Sequence, residues 1–239
     1  MLFWGIDIWY IILIVPCIIL SLIANASVKS RFNKYSRILS SSGLTGAEAA
    51  KRVLQANGVN GVAIVPCQGN LTDNFNPKTG TISLSQPVYN STSVAAIGVA
   101  CHEAGHACQY AANYAPLTLR NMIIPITNIG AKLSWPLIIL GLILSSVSQF
   151  GDKGIYFAYA GVLCFAFSTL FQLLTLPTEL NASRRALKAI KETGMLAENE
   201  IGGARKVLTA AAMTYFAALA TSLAQLLRLI LLVNRRSRE

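Results

Sequence analysis

Four stretches of this chain are apolar for long enough to cross a hydrocarbon layer, and nothing else in the sequence restricts the fold as strongly. They run from about residue 8 to 26, 123 to 147, 155 to 176 and 207 to 233. Each is near the roughly 20 residues that a helix needs to cross about 30 Å of lipid. Inside a bilayer the backbone must satisfy its own polar groups, so these stretches are expected as helices. Composition agrees. Of 239 residues, 54% are hydrophobic and 13% charged, about half the charge of an ordinary soluble domain. So short a chain cannot enclose that much apolar surface in one globular core. Disordered, collagen-like and disulfide-framework classes fail on the same figures. The five cysteines (Cys17, Cys67, Cys101, Cys108 and Cys164) are odd in number and form no C-x-x-C pair.

The formal net charge is +10, from 20 Lys and Arg against 10 Asp and Glu. No basic patch interleaved with aromatics accompanies it, so nucleic acid is not the expected partner. The basic residues instead gather beside the apolar stretches, where the lipid bilayer is the partner. No Lys or Arg precedes the first stretch, whereas Lys29, Arg31, Lys34 and Arg37 follow it. Although Ala24-Asn25-Ala26 resembles a cleavage site, that order argues for an uncleaved anchor whose C-terminal end is cytoplasmic.

Residues 29 to about 120 are then cytoplasmic. The second and third stretches form a hairpin through an external turn at 149–154. Residues 177–206 return to the cytoplasm with Arg184, Arg185, Lys188, Lys191, Arg205 and Lys206. The tail Arg235-Arg236-Ser237-Arg238 is an exception to the rule if the fourth stretch spans. With Arg228 inside it, that stretch either spans, lies along the interface or re-enters. The expected organisation is an anchor (1–27), a cytoplasmic α+β part (28–119), a membrane hairpin (120–176), a cytoplasmic helix (177–206) and a C-terminal membrane or interfacial helix with a basic tail (207–239).

Within 28–119, Thr45-Gly46-Ala47-Glu48 is a capping-box pattern ahead of a periodic run that Gly58 ends. Residues 62–66 and the alternating Thr81, Ile82, Ser83, Leu84 and Ser85 are expected strands. The segment from Asp73 to Gly80 between them is dense in turn formers. A helix is expected from near Asn90 or Ser91, both good caps, through VAAIGVACHEAGHACQYAA.

That helix contains His102-Glu103-Ala104-Gly105-His106, the H-E-x-x-H pattern, and holds both histidines of the chain. A spacing of four places the two imidazoles on one helix face, where they can grip one Zn²⁺. Glu103 then projects alongside, placed to take a proton from a water on that metal. Packed, satisfied histidines are the plain alternative, and the adjoining Glu counts against it. A catalytic zinc takes three protein ligands, so a carboxylate or cysteine must complete the set. Asp7 and Asp152 fall on the external side, Glu48 belongs to a cap, and Asp73 sits in a turn. Glu192, Glu198 and Glu200 lie in an ordinary polar stretch. Glu179 follows the third stretch at Pro177-Thr178, begins a second helix, and is returned by the hairpin towards His102 and His106; the alternative is a carboxylate snorkelling at the membrane boundary. Cys101 and Cys108 point away from the histidine face and read as packing residues.

Together, H-E-A-G-H and the segment Thr178-Glu179-Leu180-Asn181-Ala182-Ser183-Arg184-Arg185-Ala186 resemble the neutral zinc metallopeptidases of bacterial membranes, the YugP-type family. The HtpX-type membrane proteases are more distantly similar. The likeness covers nearly the whole chain, including Leu71-Thr72-Asp73 and Val88-Tyr89-Asn90. It implies a gluzincin-type zinc peptidase in the bacterial plasma membrane, with Glu179 as third ligand to one Zn²⁺ per chain. Ser183 stands where the HtpX-type motif has Asp, so any supporting role there is a hydroxyl's. Asn74, Phe75 and Asn76 replace the His, Tyr and Asp expected in the turn.

The expected fold is a mainly α membrane protein with a small zincin-like α+β part. The expected function is endopeptidase action on membrane-associated proteins at the cytoplasmic face, with Glu103 as general base. Tyr110, Asn113, Arg184 and Arg185 are candidate oxyanion donors, and Asn181 and Ser183 candidate supports. The strand Thr81–Ser85 is a candidate edge for an extended substrate. Two other readings are an intramembrane zinc protease, favoured by the apolar run before His102, and a non-catalytic metal-binding scaffold.

Overall fold

Long apolar runs with few breaks give long helices, and helices dominate the chain. The computed structural model describes residues 8–147 and 151–236. Asp7, residues 149 and 150 of the expected external turn, the side chain of Asp152, and Ser237 and Arg238 of the tail lie outside the described residues. A π-helical turn, Tyr10–Ile14, continues into α1, Val15–Tyr35. Then come α2 (Gly46–Ala56), β1 (Ala63–Cys67), β2 (Asn74–Asn76), β3 (Thr81–Ser85), the one-turn α3 (Gln86–Tyr89) and α4 (Val94–Ala111). Three long helices complete the chain: α5 (Ala115–Ser145), α6 (Gly151–Glu192) and α7 (Glu198–Arg236). The helix from Tyr10 to Tyr35 and the last three are long and apolar enough to cross a membrane. The protein is a mainly α membrane protein with one small sheet.

The expected break at Pro177-Thr178 is absent, because α6 continues through Pro177 to Glu192. Pro125 and Pro136 lie inside α5 in the same way. A proline withholds one donor and crowds one carbonyl, but apolar surroundings offer the backbone no better partner than its own helix.

The chain forms two compact units. The first holds Met1–Leu22, Leu119–Leu176 and Tyr215–Glu239; the second holds Ile23–Thr118 and Pro177–Thr214. In the first unit, α5 and α6 pack antiparallel through small residues. Gly130 meets Cys164, Gly161 meets Ser134 and Ile138, Gly141 meets Ala158, and Gly154 meets Leu144. Ile138, Ile155, Ala158, Val162, Leu229 and Val233 form its interior. Ile129, Leu163, Leu173 and Leu223 are exposed, as lipid-facing side chains would be. The hydroxyls of Thr169 and Ser222 are 2.8 Å apart in the interior. Arg228, the charge inside the fourth apolar stretch, lies 5.2 Å from the ring centre of Tyr10, a cation–π partner that lowers the cost of its placement.

The second unit is a globular α+β layer. α2 has the full capping box: Glu48 N–H donates to Thr45 Oγ1 at 3.2 Å, and Thr45 N–H to Glu48 Oε2 at 2.8 Å. Its Ala49, Ala50, Val53 and Leu54 are buried in one core with Ile82, Leu84, Val94, Ile97 and Ile190. The sheet order is β1-β3-β2, with β1 parallel and β2 antiparallel to β3. This corrects the expectation that Thr81, Ile82, Ser83, Leu84 and Ser85 offer an open edge. β3 is the central strand, paired on both sides, with Ile82, Leu84 and Ser85 buried. The sheet's free edges belong to β1 and β2.

α4 begins later than Asn90 or Ser91. Ser93 is its cap, accepting from Ala96 N–H at 3.2 Å, while the Ser91 hydroxyl donates to the Ser93 hydroxyl at 3.0 Å. Asn90 closes α3 instead.

Candidate metal centre

α4 is apolar nearly all round because nearly all of it is buried, as expected for a helix at the centre of a core. Its exceptions are the chemically useful side chains. His102 and His106 stack one turn apart, ring centres 4.7 Å apart and nearly perpendicular. The Nε2 atoms of His102 and His106 lie 3.2 and 3.3 Å from Glu179 Oε2 on α6. These side chains are 12%, 12% and 7% exposed, so the site is nearly closed but reachable.

Gly105 lets the two helices meet. A Cβ there would lie 2.7 Å from the Ala182 carbonyl oxygen, so any larger residue would push α6, and Glu179 with it, off α4.

The far side of each imidazole is also held. His102 Nδ1 is 3.1 Å from Ser183 Oγ, and His106 Nδ1 is 2.9 Å from Gln109 Oε1. Gln109 is fully buried and donates from Nε2 to the Thr178 carbonyl at 2.7 Å and to Asn181 Oδ1 at 3.0 Å. Asn181 Oδ1 also accepts from Arg185 Nε at 2.9 Å. Both rings thus face Glu179 through Nε2 and are gripped through Nδ1, the outer support typical of metal-binding histidines.

Glu103 is buried, and burial pushes its carboxyl up against the opposing pull of His102 and His106; the charges of Glu179 and Asp73 push it further up. For His106, burial opposes the charged form, but the hydrogen bond and charge of Glu179 outweigh it and the imidazole is raised. Asp73, expected only as a turn residue, accepts from Ser85 N–H at 2.7 Å and from the Ser85 hydroxyl at 3.0 Å. Burial pushes its carboxyl up, with the Ser85 bonds opposing. Burial likewise raises the thiols of Cys101 and Cys108, consistent with packing residues.

Of the other expected residues, Tyr110 is 51% exposed with its ring centre 6.1 Å from that of Phe75. Arg184 and Asn113 are exposed, and Arg185 is turned to Asn181. Sequence reasoning missed Gln109 and Asp73. A polar residue three positions after His106, within a run otherwise apolar, was the available signal for Gln109. Asp73 offered none, since its partner Ser85 lies 12 residues on.

His102, His106 and Glu179 are the group among the described residues whose donor atoms could hold a metal ion, all within 4.8 Å of one another. The fold and site together define a membrane protein with a two-histidine, one-carboxylate centre on an H-E-x-x-H helix. Residues 10–234 match the family described as "Putative neutral zinc metallopeptidase", and the chain belongs to that family. It is 42% identical over 223 residues to the "Putative membrane protease YugP" of Bacillus subtilis (strain 168), covering 93% of this chain and 96% of that protein. No solved structure matches the chain. The metal implied is zinc, and the residues fit it. Tetrahedral zinc with ligand bonds of about 2.0–2.1 Å separates its ligand atoms by roughly 3.3 Å. Two of the three ligand separations, the Nε2–Oε2 pairs, are 3.2 and 3.3 Å, and all three ligand atoms lie within 4.8 Å of one another.

Proposed function

We propose that the protein is a gluzincin-type zinc endopeptidase that cleaves membrane-associated proteins at the cytoplasmic face of the bacterial plasma membrane. The observation that carries this reading is the convergence of His102 Nε2, His106 Nε2 and a Glu179 oxygen beside the buried Glu103. His102, His106 and Glu179 would hold one Zn²⁺ per chain. When bound, the ion supplies Lewis acidity for the substrate carbonyl and for water.

The chain's own residues do the rest. Glu103 takes the proton of the attacking water and passes it to the leaving amine, and its raised carboxyl suits a group that must both accept and return a proton. Ser183 and Gln109 hold the imidazoles in place while this happens. The outer edge of β2 is where an extended peptide can add a strand, and Phe75 on Tyr110 ties that strand to α4. Lys29, Arg31, Lys34 and Arg37 beside the first span, with the basic run of 184–206, support a cytoplasmic site.

The apolar run before His102 has a sufficient cause in burial within the α+β core, which favours this reading over zinc inside the bilayer. A scaffold would have no use for Glu103. Glu103→Gln should keep zinc and lose 10²- to 10⁴-fold in hydrolysis of casein or a membrane protein; unchanged cleavage by the zinc-loaded variant contradicts the mechanism.

A further inference from the structure

We infer that Gln109 is a positioning residue that sets the tautomer of His106, and that its own orientation is fixed by the Thr178 carbonyl and, through Asn181, by Arg185. The inference rests on the zinc-site reading above and concerns residues behind the ligands. Arg185 Nε carries a hydrogen and can only donate. The Asn181 atom that it meets at 2.9 Å must therefore be the carbonyl oxygen. That oxygen also faces Gln109, 3.0 Å away, so the Gln109 atom turned to it must be the amide nitrogen. The Thr178 carbonyl, 2.7 Å from the same nitrogen, makes the same demand. Reversing the Gln109 amide would set its oxygen against two acceptors in a fully buried place, where unmade hydrogen bonds are costly.

Gln109 Oε1 is thus left for His106 Nδ1, 2.9 Å away. Oε1 can only accept, so Nδ1 carries the hydrogen. In the neutral ring Nε2 then keeps its lone pair, and Nε2 is the atom that faces Glu179. The Thr178 carbonyl and the guanidinium, which stays charged at any working pH, impose the same direction on the chain.

His102 is held differently. Its Nδ1 meets the Ser183 hydroxyl at 3.1 Å, and a hydroxyl can rotate to donate or accept. Ser183 therefore orients its ring without choosing a tautomer. Among the two imidazoles, His106 alone has its metal-facing nitrogen decided in advance by this fixed chain.

The test is zinc affinity, by competition with a chromogenic chelator on the purified full-length protein in detergent. It compares wild type with His106→Ala, Gln109→Leu, Asn181→Leu and Asn181→Asp. Melting temperatures of the metal-free proteins are measured alongside. Gln109→Leu should lose 10- to 100-fold in affinity, and Asn181→Leu a smaller but measurable part of that. Asn181→Asp should stay within about threefold of wild type, because a carboxylate oxygen still accepts from both Arg185 and Gln109. A general packing role for Asn181 would give no such rescue.

Wild-type affinity in a folded Gln109→Leu protein overturns the inference. If that variant does not fold, the Asn181 pair decides, and equal affinity in Asn181→Leu and Asn181→Asp overturns it. Where His106→Ala abolishes zinc binding but the other variants change nothing, the positioning role fails and the zinc site stands. Where wild type takes up no zinc, both fail.

Discussion

Glycine brings helices together in both units of this protein, but for different ends. In the α5–α6 hairpin, Gly130, Gly141 and Gly161 let two apolar helices approach until backbone nears backbone. Lipid is as apolar as leucine, so close dispersion contact is what remains to hold such helices together. In the α+β unit, Gly105 does the same for α4 and α6 at Ala182, yet the contact is bordered by His102, His106, Gln109, Glu179 and Asn181. There the close approach lets polar atoms on two helices converge. The hairpin uses closeness for association, and the site uses it for coordination. The interiors differ accordingly: one is mainly aliphatic with a few buried hydroxyls, the other aliphatic around a hydrogen-bonded polar cluster.

The largest effect should come from Gly105→Val. Its side chain cannot share space with the Ala182 carbonyl, so α6 must shift, and zinc should be lost by more than the 10- to 100-fold that removal of one outer hydrogen bond costs. Metal content after dialysis reads this out, and a folded variant with full zinc would break the comparison. Gly141→Val places its bulk against the Ala158 backbone in the hairpin. It should cost about 1–3 kcal/mol of stability, the usual range for overpacking, seen as a lower melting temperature in detergent. Smallest is Thr169→Val, which removes the hydroxyl pair with Ser222 and should cost about 0.6 kcal/mol, the average for such bonds between membrane helices. A cost as large as that at Gly141 would mean that polar contact, not closeness, holds this unit together.

How much of this could be read from the sequence follows from the range of the interactions. Long apolar runs and the Thr45–Glu48 cap are local, and both stood out. His102 and His106 are four residues apart on one helix, so their shared face followed from helix geometry alone. Glu179 came into view because acidic residues are so few. The order of the sheet was hidden, since pairing of β3 with both neighbours depends on contacts that no alternation within Thr81–Ser85 encodes. Pro177 misled because a proline after an apolar run usually ends a helix in water, whereas α6 continues through it. Gln109 was the most costly omission. Its role exists only when Thr178 and Asn181, about 70 residues away in the chain, are folded against it.

X-ray absorption at the zinc edge of the purified, zinc-loaded wild-type protein tests the central claim most directly. The expected first shell contains only nitrogen and oxygen at about 2.0–2.2 Å, with the outer scattering of imidazole rings, as His102, His106 and Glu179 would give. A sulfur scatterer at about 2.3 Å would place a cysteine at the metal and contradict the site described here, as would a wild-type protein that takes up no zinc.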